Sequence, residues 1–103
     1  MAVRIVWSPA ARADLIDIYT TIGAESLTAA DRYYEWIEER AMQLAGQPRM
    51  GVRRPDIRPS ARMLVVTPFL LLYETVPDTE SGPVDSVEIV RVVDGRRDLN
   101  RLF

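Results

Sequence analysis

The chain has 103 residues, no cysteine, no histidine and no lysine. Its 13 cationic residues, all arginine, oppose 15 carboxylates for a net charge of −2. That length holds one core, and the residue inventory excludes disulfides, thiolate nucleophiles, imidazole bases and metal ligands, Schiff-base lysines and P-loop lysines. The longest apolar run falls far short of the roughly 20 residues of a membrane span, and the start, broken by Trp-Ser-Pro, lacks the apolar core of a secretion signal; one cytoplasmic domain over 1–103, with no membrane partner, is expected.

Taken in chain order, Val3 to Trp7 alternate and are rich in β-branched residues, which predicts a first strand. Ser8 followed by Pro9 is a helix start, since Pro at the first helical position loses no hydrogen bond. Ala11, Leu15, Ile18, Tyr19 and Ile22 then mark one buried face as far as Gly23. A second helix is expected from Leu27 or Thr28, with Ala30, Tyr33, Tyr34, Ile37, Ala41 and Leu44 as its apolar stripe, ending at Gly46-Gln47-Pro48. Trp36 lies off that stripe, so it either rims the core or stands out as an anchor for another chain. Residues 47–60, with three prolines, four arginines and no period, read as a basic loop.

Three strands follow: ARMLVV, then FLLLYETV after a Thr-Pro turn, then, after the loop PDTESGPVD, SVEIVRVV, expected to alternate Val87, Ile89, Val90 and Val92 or Val93 with Glu88 and Arg91. Strand, helix, helix and a three-stranded meander describe an α+β fold, β-α-α-β-β-β, with a helical hairpin packed on a mostly antiparallel sheet.

Charge is segregated along the chain. Residues 11–45 carry three arginines against seven carboxylates, a balance of −4, whereas 46–62 carry Arg49, Arg53, Arg54, Arg58 and Arg62 against Asp56, a balance of +4. Residues 63–90 are acidic and the tail is basic again. Two basic segments can build one cationic face for an anionic partner, or each can be a solvated run.

Catalytic constellations are thin. A metal site would need carboxylates alone; Asp14 with Asp17, and Glu35 with Glu38 and Glu39, have helical neighbour spacing, which solvated helix faces explain. The serines lack a partner to activate them. Cleavage of RNA would need a base and an acid around a cationic phosphate site; arginine supplies the charge, but Tyr19, Tyr33, Tyr34 and Tyr73 all fall on apolar stretches. No catalytic residue, metal or cofactor is therefore expected.

WSPAARADLIDIY at 7–19, LAGQPRMGVRRPDIRPSARML at 44–64, LLYETV at 71–76 and VRVVDGRRDLNRLF at 90–103 together resemble a ParE-type toxin of the RelE/ParE superfamily. The resemblance implies a type II toxin encoded beside a ParD-like antitoxin, forming a hetero-oligomer that meets operator DNA only through the antitoxin. It also implies inhibition of DNA gyrase, and so of replication, by binding rather than catalysis. Arg53, Arg54, Arg58, Arg62, Arg91, Arg96 and Arg97 are the expected target-binding cations, with Tyr33 and Trp36 as antitoxin anchors. Departures from the RelE pattern are the missing lysine before the second strand and the missing C-terminal tyrosine; Asp94 stands where many ParE relatives place a His. Alternatives are a ribosome-dependent mRNA endoribonuclease and a non-toxic antitoxin-binding module. In the tail, Asp94-Gly95 is expected to turn, Asp98 to hold an arginine or cap, and Leu99, Leu102 and Phe103 to pin the end to the body.

Overall fold

The structure, a computed structural model, describes residues 3–96. Its elements are β1 (Arg4–Trp7), α1 (Pro9–Gly23), α2 (Leu27–Gln43), β2 (Val52–Arg53), β3 (Arg62–Val66), β4 (Phe69–Val76) and β5 (Ser86–Asp94), and the sheet order is β1-β5-β4-β3-β2. Only β1–β5 is parallel; every other neighbouring pair is antiparallel. A parallel partner for β1 follows from the crossover: two helices separate it from the meander, long enough to return to the same end of the sheet.

The first helix begins at the cap expected from the sequence, and the second is capped by Ser26. Ser8 Oγ accepts from Ala11 N–H, and Ser26 Oγ from Ala29 N–H, meeting donors that the first helical turn leaves open. Ala11 and Leu15 of α1, with Ile37 and Ala41 of α2 and Leu44 just after it, are buried against Leu64, Val66, Phe69, Leu71, Tyr73, Val87, Ile89 and Val92 of the sheet. The helices thus cover one face. The other face carries Val6, Val52, Val65 and Val76, all substantially exposed.

Two expectations need correction. Residues 47–60 are not wholly loop, because Val52 and Arg53 pair with Met63 and Arg62 as an edge strand. Two residues are too few to show a period, so only the partner strand defines them. Strand β5 also does not alternate cleanly: the register slips between Leu72 and Tyr73, which pair with Arg91 and Ile89 and leave Val90 as an extra residue. That bulge is why Ile89 and Val92, three residues apart, both face the helices, opposite Tyr73 and Leu71.

Candidate cationic interface

The predicted cations fall into two groups. Arg53 and Arg62 are cross-strand neighbours at the β2 edge of the sheet. Arg53 donates to Asp78 at 2.9 Å and Glu80 at 2.6 Å, and Arg62 Nη2 stands 3.8 Å from Glu80. Arg54 grips Asp56 through both arms, at 2.9 and 2.7 Å, and Arg58 lies 3.4 Å from Glu74 on β4. Arg53 and Arg62 of the edge strands are therefore met by the acidic β4–β5 loop, Arg54 by its own loop and Arg58 by β4.

Arg91 and Arg96 form the second group, at the end of β5. β1 ends opposite Ile89, and from there α1 takes over as neighbour to the strand. Ser8 Oγ donates to the Val90 carbonyl, and Asp14 accepts from Val92 N–H at 3.0 Å and from both arms of Arg91 at 2.7 and 2.8 Å. Asp14 is therefore no solvated helix-face carboxylate, contrary to the sequence expectation; its side chain is 15% exposed and clamps α1 to β5. The signal was its place between Ala11 and Ile18 on the buried stripe. Arg96 donates from its backbone and its guanidinium to Asp94 and remains 74% exposed. Asp14, Asp17, Ile18, Phe69, Arg91 and Arg96 border an open hollow of about 210 Å³.

Hydrogen bonds to Asp78, Asp56, Asp14 and Asp94 respectively raise the pKa of Arg53, Arg54, Arg91 and Arg96 further above the usual arginine range. Conversely, the bond from Arg54 holds Asp56 below the usual carboxylate value. These are fixed charges with no role in moving protons. Tyr73 is fully buried and its oxygen accepts from Gly51 N–H at 2.8 Å; Tyr19 donates to Asp31 at 2.6 Å. Tyr33 sets its ring edge-on against Phe69, 5.6 Å between centroids, and tilts toward Trp36 at 6.2 Å. Trp36 is 40% exposed and lies outside the core cluster, so it projects from α2 instead of sealing the core rim.

Fold and pairing pattern meet in a comparison with known families. Residues 5–99 match the family model described as ParE toxin of type II toxin-antitoxin system, parDE. The chain belongs to the ParE toxin family. It is 31% identical over 102 residues to Toxin ParE1 of Mycobacterium tuberculosis, in both strains CDC 1551 / Oshkosh and ATCC 25618 / H37Rv, with 98% of each chain covered. A solved structure titled "Chromosomal ParDE TA system from P. aeruginosa" superposes with a TM-score of 0.71 at 23% identity, covering 89% of this chain and 95% of that one; that match concerns the fold. The chain is thus a ParE-type toxin of a type II toxin-antitoxin system.

Sequence reasoning missed Arg49, which ties down the 77–85 loop, and the carboxylates Asp14, Asp78 and Glu80 that hold the predicted cations. Long-range ion pairs leave no local pattern. Arg97, Asp98, Leu99, Leu102 and Phe103 lie outside the described residues.

Proposed function

We propose that this ParE-family toxin acts in the cytoplasm by binding DNA gyrase, not by catalysis, and is neutralised by a cognate ParD-like antitoxin in a hetero-oligomer. The observation that carries the non-catalytic reading is the absence of a proton-transfer pair: the sequence has no His, Lys or Cys, and Tyr73, the tyrosine of the sheet, is buried and engaged with Gly51. Fixed guanidinium charges suit grip over turnover. Among the described cations proposed for the target, Arg96 and Arg58 are the most exposed, with side chains 74% and 45% accessible, and Arg97 adjoins Arg96 in sequence.

An amphipathic antitoxin helix has an anchor in exposed Trp36 backed by Tyr33, and an extended acidic tail can lie along a sheet edge beside the arginines. With purified gyrase, the toxin is expected to block supercoiling or to accumulate cleaved DNA, and the antitoxin to reverse the effect. Full supercoiling at saturating toxin would sink the gyrase reading. mRNA cut at the ribosomal A site in a translating extract would replace it with the endoribonuclease, and unchanged growth on expression without antitoxin would leave a binding module.

A further inference from the structure

Arg62 is the only arginine among the described residues that counts as buried, at 5% exposure. Its Nη1 donates to the carbonyls of Arg49 and Gly51, at 3.2 Å each, and these bonds fix the plane of the guanidinium. Nε and Nη2, the edge with which an arginine takes an oxyanion two-fold, have no hydrogen-bond acceptor. Glu80 approaches Nη2 only to 3.8 Å, beyond hydrogen-bond range. Charged donors left unmet away from water are costly, so an unfilled but pre-oriented edge points to a ligand.

What lies across this edge is a strap from the β4–β5 loop. Arg49 holds the Thr79 carbonyl and hydroxyl and the Gly82 carbonyl, at 2.8, 3.1 and 2.9 Å, while Arg53 holds Asp78 and Glu80. Asp78 and Glu80 are 36% and 75% exposed. Exposed ion pairs of this kind contribute little, so the strap is held weakly enough to be displaced.

We propose that Arg62, with Arg49 and Arg53 at its rim, is a phosphate-recognition site, and that the segment carrying Asp78 and Glu80 is an internal competitor closing its mouth. Phosphate is favoured over carboxylate because the strap already brings two carboxylates to these arginines and still leaves the Arg62 edge unbonded. Glu80, bonded to Arg53 through Oε1, brings its other oxygen only to ion-pair distance of Arg62, 3.8 Å; the tetrahedral oxygens of a phosphate point to several guanidinia at once. Free phosphate and the phosphodiester of a nucleic-acid strand share this chemistry. The site shares Arg53 and Arg62 with the cations proposed for the gyrase target, but phosphate binding and inhibition of supercoiling are measured separately, so either reading can fail alone.

The test follows the Arg62 Nε–H resonance of the ¹⁵N-labelled full-length protein, assigned by its loss in Arg62→Lys. Inorganic phosphate, a short single-stranded oligonucleotide and a glutamate-rich peptide are titrated into the wild type and into Asp78→Asn/Glu80→Gln. Phosphate or oligonucleotide is expected to move the resonance, with the midpoint about tenfold lower in the strap variant. A response to inorganic phosphate equal to that of the oligonucleotide identifies free phosphate as the ligand, and a much tighter oligonucleotide identifies the polynucleotide backbone. Response to the peptide alone, response to nothing, or equal midpoints in both proteins overturns the proposal. Arg62→Lys, which keeps the charge but loses the fork, is expected to lose phosphate binding; should it not fold, the resonance is assigned by through-bond correlation to the Arg62 backbone and the strap variant decides by itself.

Discussion

Gly51 shows how tightly a single position can be specified. A Cβ there would come within 2.6 Å of the Tyr73 ring and hydroxyl and 2.9 Å of the Met63 carbonyl, and the last cannot swing aside. Gly51→Ala is therefore expected to cost about 2 kcal/mol or more in a denaturant melt, in the range of overpacking. Tyr73→Phe removes the acceptor of the buried Gly51 N–H and is expected to cost about 1–3 kcal/mol. Burial also raises the Tyr73 phenol above its ordinary value of 10.0. Because the folded value lies above the unfolded one, this contribution is whole below about pH 10 and is lost as pH rises through the folded value. Melts between neutral and strongly alkaline pH should accordingly show a steeper loss for the wild type than for Tyr73→Phe; parallel slopes would contradict the assignment.

For the elements, the informative joint is α1 on β5. Sheet hydrogen bonding passes from β1 to α1 side chains where β1 ends, through Ser8 on Val90 and Asp14 on Val92 and Arg91. Asp14→Ala removes a carboxylate that serves a backbone N–H and both arms of a guanidinium, and is expected to cost about 2–3 kcal/mol, since hydrogen bonds to charged groups exceed neutral ones. Asp17→Ala, one turn on at an exposed position, should change stability by no more than about 0.5 kcal/mol. Equal effects from the two substitutions would mean that the clamp does not hold α1. Arg91 inherits the same logic: its substitution should weaken folding as well as any target contact, so toxicity lost in Arg91→Ala is not by itself evidence of an interface.

At the scale of the whole molecule, the charge blocks mostly cancel inside the fold. The basic 46–62 segment meets acidic residues of β4 and of the 77–85 loop, which leaves Arg96 as the most exposed of the paired cations proposed for the target. Replacing Arg96 and Arg97 together by Ala is expected to reduce toxicity in an inducible growth assay while changing stability by no more than about 0.5 kcal/mol each, as surface substitutions do. Comparable losses of toxicity and thermal stability would assign the pair a structural role instead. Asp94, in β5, already satisfies Arg96 locally, so a target carboxylate or phosphate must compete with a neighbour two residues away.

The longer strands, both helices and the Ser8 cap were legible in the sequence because each rests on local information: apolar period, Ser at the cap, Pro at the first turn and Gly at the stops. Most of the core was legible for the same reason, down to Leu15, Ile37 and Tyr73. The two-residue β2 and the bulge at Val90 were not, since a strand that short is defined by its partner and a register slip depends on what lies opposite. Arginine as the sole cation, and with it the want of a proton shuttle, is a property of the sequence alone. Which arginine is buried, which is clamped and which stands exposed was decided only by the tertiary structure, because an ion pair such as Asp14–Arg91 joins residues 77 positions apart and leaves no trace in either neighbourhood.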